Sequence, residues 1–216
     1  MPATSQHVLR PNTLSIFAAR RCSGKTTLML HLLKTLCKSK SFNWVLVISP
    51  TAFCEGVWSA VVGAEHVREE FDENELESIL DQQAAIRSRG DSNPGLLILD
   101  DCLGSVPWNA PIWTRIATAG RHFQVSVWIT SQYYYKLPCV LRSNADVQYL
   151  QGVQPDRVVK AIWEEGGGLG ISTWQEFREK VAVAVRDYAC LVIDSKTQAL
   201  RTIRAPSRPT PFKIQQ

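Results

Sequence analysis

Ser23-Gly24-Lys25-Thr26 combines the residue types that bind the phosphates of a nucleotide. Glycine lets the backbone curl so that successive N–H groups point at phosphate oxygens, and a helix opening at the same place adds partial positive charge. Lys25 is placed to reach the β- and γ-phosphates of ATP as a point charge, and the Thr26 hydroxyl is a natural ligand for Mg2+. The candidate loop runs over Ala19, Arg20, Arg21, Cys22, Ser23, Gly24, Lys25, Thr26 and Thr27. The full GxxxxGK[ST] pattern would put its first glycine at 19, where this chain has alanine, which fits that turn if its φ stays negative. A GKT tripeptide can also be an ordinary basic helix start, so the surrounding elements must decide.

A magnesium–nucleotide site needs a carboxylate at the tip of a neighbouring strand. Leu96-Leu97-Ile98-Leu99-Asp100-Asp101 supplies two in succession after four apolar residues. Asp100 is expected to hold Mg2+ through its water shell, and Asp101 to face the γ-phosphate and polarise an attacking water. A third polar group ends the run Ile129-Thr130-Ser131-Gln132. In open α/β sheets the carboxyl ends of strands border the ligand crevice. Gln132 there can bond both the γ-phosphate and the attacking water.

The elements that must position these groups are legible as alternating apolar runs and helical patterns, the signature of a βαβ parallel sheet. Strands are predicted over 14–18, 44–48, 96–101, 125–130 and 145–150, with a terminal pair over 189–193 and 199–203. Helices are predicted over 25–38, 65–89, 110–119, 156–165 and 172–187. Leu28, Leu32, Leu33 and Leu36 mark one face of the first helix; Leu76, Ile79, Leu80 and Ile86 mark one face of the second. The phosphate loop thus follows a buried strand and opens a helix, the context it requires. Gly166 to Gly170 reads as a flexible break. The expected fold is a single α/β P-loop NTPase domain of the RecA/ASCE type, a mostly parallel central sheet flanked by helices. That domain spans 1–204, followed by an extended, basic, proline-containing tail over 205–216.

Composition excludes several classes. With 216 residues, 45% hydrophobic and seven tryptophans, the chain is not a disordered one. A net charge of +4 is too mild to show nucleic-acid binding by itself. Cys22, Cys37, Cys54, Cys102, Cys139 and Cys190 have no zinc spacing and read as reduced, small core residues of a soluble intracellular protein. No signal core opens the chain, and no window approaches the ~18 consecutive apolar residues of a membrane span, so no membrane partner is expected. His66 and His122 lack ligand spacing and read as structural.

ARRCSGKTT, LLILDD, GRHFQVSVWITSQ and LPCVLRSNAD, in this order and spacing, resemble the poxvirus-type DNA-packaging ATPases of large DNA viruses, within the FtsK–HerA superfamily of ring-forming translocases. The resemblance covers about 14–150, with a weaker echo in EEGGGLGISTWQEF and YACLVID. Ala19, and Asp101 where many members carry Glu, are departures. The resemblance implies a viral genome-packaging ATPase, a homo-oligomeric ring that drives double-stranded DNA into a capsid, with the capsid or its portal vertex as partner, in the infected host cell at the site of virion assembly. It also implies an arginine reaching into the neighbouring subunit's site, for which Arg121 and Arg142 are the candidates. Each can equally serve its own helix end, where a cation is favoured.

Contact with DNA would go through phosphates. Tyr133-Tyr134-Tyr135-Lys136 follows Gln132 directly and could pass on a nucleotide-driven shift. The stretch 196–216 carries Lys196, Arg201, Arg204, Arg208 and Lys213 without an acidic residue. Two rival readings remain. A small nucleotide kinase would need an arginine-bearing lid, yet Glu164 and Glu165 flank the glycine-rich break. A nucleotide-binding assembly protein would bind ATP without turnover, with Ala19 and Asp101 as marks of an inactive site.

Overall fold

The computed structural model describes residues 10–38, 41–166, 170–205 and 212. Strands β1 (Leu14–Ala19), β2 (Trp44–Ile48), β3 (Val67–Arg68), β4 (Gly95–Leu99), β5 (Val125–Ser131), β6 (Val147–Gln151), β7 (Ala189–Asp194) and β8 (Ala199–Arg204) form one sheet. Their order is β3-β2-β4-β5-β1-β6-β7-β8. β1 to β6 run parallel, and the β7–β8 hairpin adds two antiparallel strands on the β6 side. The helices are α1 (Lys25–Lys38), α2 (Ala52–Glu55), α3 (Val57–Val62), α4 (Glu73–Ser88), α5 (Pro111–Ala119), α6 (Cys139–Ser143), α7 (Asp156–Glu165) and α8 (Trp174–Ala184).

Period-two alternation divides each central strand between two cores, because successive side chains leave opposite faces. Leu14, Ile16 and Ala18 of β1 join Leu97, Leu99, Val127 and Ile129 against α4, α5, α7 and α8. Phe17, Leu96, Ile98, Trp128 and Tyr149 face the other way, against Leu28, Leu32, Leu33 and Leu36 of α1 and Trp58 of α3. Phe17 stacks on Tyr149 with centroids 4.3 Å apart. At the foot of β4 the Trp44 ring occupies the place a side chain at Gly95 would take, so only glycine permits that packing.

Three expectations change. The helix over 65–89 is shorter: Asp72 accepts from the N–H groups of Asn74 and Glu75, caps α4, and leaves Val67–Arg68 free to pair with β2. Its buried face is Leu76, Leu80 and Gln83, whose amide donates to the Asn93 carbonyl at 2.7 Å. α2, α3 and α6 stand where no helix is predicted. Cysteines divide: Cys102 and Cys190 are buried, whereas Cys22, Cys54 and Cys139 are exposed. Within the expected tail and glycine-rich break, 206–211, 213–216 and 167–169 lie outside the described residues. No helix among the described residues is long and apolar enough to cross a membrane.

Candidate functional site

β1 ends at Ala19, which is 1% exposed and pairs with Gln151 of β6. Ala19 is therefore a strand residue, and the loop proper begins at Arg20. Ser23 donates from both its N–H (3.3 Å) and its hydroxyl (2.6 Å) to the Arg20 carbonyl, closing a tight turn. Cys22 and Gly24 take left-handed backbone angles, with φ of 59° and 88°. A side chain at Gly24 would combine that backbone strain with a 3.2 Å approach to the Gln151 amide. The first helical bond runs from Leu28 N–H to the Gly24 carbonyl at 2.9 Å. The N–H groups of the first turn thus face outward, and no acidic residue in that turn neutralises them.

The loop opens on a cleft of about 660 Å3 lined by Arg21 to Thr27, Thr51, Asp100, Asp101 and Gln132. Arg20 is not among its walls; it lines a neighbouring cleft. Asp100 is 6% exposed and heavily supported. Its Oδ1 accepts from Thr130 Oγ1 at 3.1 Å. Its Oδ2 accepts from Trp58 Nε1 at 2.9 Å and from Thr26 Oγ1 at 3.4 Å. Such donors satisfy a buried carboxylate and fix its direction.

Asp101 has φ of 57°, a backbone state that non-glycine residues adopt at a cost of order 1 kcal/mol. Its N–H donates to Thr130 Oγ1 at 2.8 Å, and its Oδ1 accepts from Gln132 Nε2 at 2.7 Å. The strained turn therefore aims Asp101 across the cleft at Gln132. Beside the pair, burial first, and then the charges of Asp100 and Asp101, push the Cys102 thiol up to about 12. Cys102 stays neutral and donates to the Ile48 carbonyl at 3.1 Å.

The residues expected from the loop, the acidic strand end and the polar strand end lie around one cleft, Ala19 and Arg20 excepted. Thr51, Thr130 and Trp58 join them without a sequence motif of their own. The parallel register Leu99↔Ile129 sets Asp100 beside Thr130, a pairing that no local pattern reveals. Trp58 arrives on the short α3, which carries too few residues for a periodic signal.

The two arginines lie elsewhere. Arg121 Nη2 donates to Asp146 Oδ1 at 2.9 Å, and Asp146 Oδ2 accepts from the Leu14 N–H at 2.9 Å. Both contacts sit at the amino ends of β1 and β6, the full length of a six-residue strand, about 20 Å, from the loop. The Arg121 side chain is 71% exposed. The Arg142 side chain is 11% exposed, and its Nη2 pairs with Glu165 at 3.0 Å. Its guanidinium lies 5.2 Å and 5.3 Å from the Tyr134 and Tyr135 ring centroids. Tyr134 OH donates to Glu165 at 2.9 Å, and burial, with the Glu165 charge second, raises its phenol well above the usual range. Arg142, Tyr134 and Glu165 together pin the segment after β5 to the end of α7.

The chain matches the model of the Poxvirus A32 protein family over residues 8–155. No curated protein sequence matches it. Among solved structures, the genome packaging NTPase B204 from Sulfolobus turreted icosahedral virus 2 in complex with AMPPCP is similar at a TM-score of 0.66 and 16% identity. That match covers 92% of this chain and 100% of B204. B204 described as the DNA-packaging ATPase of Sulfolobus turreted icosahedral virus gives 0.64 and 17% over 92% and 100%. The pCW3 conjugation coupling protein TcpA, bound to ATPγS, gives 0.63 and 13% over 90% of this chain and 60% of TcpA. At such identities the structural likeness establishes a common P-loop ATPase fold.

Proposed function

Because the chain belongs to the Poxvirus A32 protein family, we propose that it is a viral genome-packaging ATPase, a ring-forming motor that couples ATP hydrolysis to moving double-stranded DNA into a capsid. The single observation that carries this reading is the convergence of the phosphate loop, Asp100, Asp101 and Gln132 on one cleft. It acts in the infected cell where virions assemble, on the capsid or its portal vertex.

The Lys25 ammonium and the outward N–H groups of the loop bind the β- and γ-phosphates. Thr26 and Asp100 fit Mg2+: both are hard oxygen donors, and they already converge within 3.4 Å. When bound, the ion would offset the negative charge of the phosphates. Because both Asp100 oxygens accept bonds from protein donors, Asp100 would hold the ion through its water shell. Asp101 accepts the proton of the water that attacks the γ-phosphorus, while the bond from that phosphorus to the bridging oxygen breaks toward ADP. Gln132, bonded to Asp101 in this state, exchanges that partner for a γ-phosphate oxygen when ATP is present.

Trp58 is a positioning residue. Trp58→Phe keeps the ring in the core but removes the donor to Asp100 Oδ2, a charged hydrogen bond worth about 1.5–3 kcal/mol. The Mg2+ concentration for half-maximal turnover should rise roughly tenfold, the lower end of that range at 1.4 kcal/mol per decade, and the melting temperature should fall by several degrees without loss of the fold. An unaltered Mg2+ requirement would reduce the bond to a packing detail.

A ring needs a residue that leaves its own subunit, and Arg121 suits this better than Arg142. It is exposed and stands at the opposite end of the sheet from its own cleft, whereas Arg142 is enclosed by Tyr134, Tyr135 and Glu165. Such a finger contributes ~10³–10⁵ in rate. Arg121→Ala and Lys25→Ala subunits, each inactive alone, should regain turnover when mixed. No recovery on mixing would show that Arg121 does not complete a neighbour's site.

A further inference from the structure

Beside the phosphate cleft lies a second of about 630 Å3, and the two share Arg21 and Gln132 as a common wall. Three segments build it: Arg20 and Arg21 after β1, the run from Gln132 to Lys136 after β5, and residues between Gln154 and Val158 after β6. Arg20, Arg21, Lys136 and Arg157 bring four cations, and no carboxylate lines the cleft. None of the four is in an ion pair with another described residue, whereas Arg10, Arg68, Arg115 and Arg178 all are. Concentrating unpaired cations in one concave place costs self-repulsion, which an anionic occupant relieves.

The aromatic wall narrows the chemistry. Tyr133 and Tyr135 are 66% and 50% exposed, large rings left at the surface. Their segment is held in place: Tyr135 OH donates to the Arg157 carbonyl, and Arg142 lies against the rings of Tyr134 and Tyr135. Preorganised rings interleaved with cations suit a polymer that alternates phosphates with sugars bearing flat bases.

We propose that this second cleft binds the phosphate backbone of a DNA strand, with Lys136 and Arg157 on phosphates and Tyr133 and Tyr135 against the adjoining sugars. The assignment rests on the packaging reading above. It also gives that reading a coupling route. The γ-phosphate of ATP and the DNA phosphates lie on opposite sides of Arg21 and Gln132, so a shift of Gln132 between Asp101 and the γ-phosphate changes one wall of the DNA cleft.

The test uses the full chain and a labelled linear duplex, with binding followed by fluorescence anisotropy across a salt series. Removing one cation that neutralises a phosphate lowers the slope of log K against log salt by about 0.9. Lys136→Gln with Arg157→Gln, both at exposed positions, should lower it by about two. Tyr133→Ala should weaken binding severalfold while leaving the slope alone. The melting temperatures of the variants serve as the fold control.

Wild-type protein that neither binds duplex DNA nor speeds up with it would overturn the packaging reading itself. Wild-type protein that does both, beside a double variant with an unchanged slope, would overturn the cleft assignment alone. Polyglutamate competing as well as DNA at matched charge would also overturn it, in favour of an acidic protein surface.

Discussion

Lys25→Ala should lower ATP turnover by roughly a thousandfold, the upper range for removing one preorganised electrostatic contact in a water-poor site. The magnitude follows from position. Lys25 is the first residue of α1, its helix turn carries no acidic residue, and its side chain lines the phosphate cleft. Alanine continues the helix at least as well as lysine, so the fold should be kept. ATP affinity should fall as well, because in the proposed mechanism the ammonium contacts the phosphates in the ground state and in the transition state. Equilibrium binding of a fluorescent ATP analogue beside steady-state phosphate release separates the two effects. Turnover within tenfold of wild type would mean that the loop does not hold the reacting phosphates.

The second large effect concerns Asp101. Asp101→Asn conserves size, and asparagine tolerates the left-handed backbone found there, so the substitution removes charge and basicity with little strain. Loss of a general base costs roughly 10²–10⁴ in rate. Turnover should fall in that range while ATP binding is retained, since the proposed mechanism gives Asp101 the attacking water and not the β-phosphate. Asp100→Asn differs in kind: it would loosen the proposed Mg2+ site, which Asp100 would share with Thr26 and which Trp58 supports. If Asp101→Asn turned over normally, Gln132 and the neighbour's arginine would be sufficient and the base would lie elsewhere.

Much of the site is legible locally because phosphate chemistry dictates local patterns. Gly24, Lys25 and Thr26 have to be consecutive, and Asp100 and Asp101 have to follow an apolar strand. What escapes a reading of the sequence depends on register or on elements too short for periodicity. Thr130 touches both aspartates only because β5 lies beside β4 in parallel. Trp58 reaches Asp100 from a six-residue helix. One misplaced boundary does carry a signal: Asp72, followed three residues later by Glu75, is a helix-start pattern that marks the beginning of α4. The second cleft has no local signature, since Arg20, Lys136 and Arg157 come together only through the order of β5, β1 and β6.

The separation of Arg121 from the cleft is legible in principle. A residue before a strand stands at its amino end, and the phosphate loop follows one at its carboxyl end.

The most direct test of the central claim is steady-state ATP hydrolysis over a protein dilution series, with and without linear duplex DNA, against Lys25→Ala as blank. A ring motor predicts specific activity that rises with protein concentration as sites are completed between subunits, and rises further with DNA. Specific activity independent of both concentration and DNA would contradict it and point to a self-contained nucleotide kinase or ATPase.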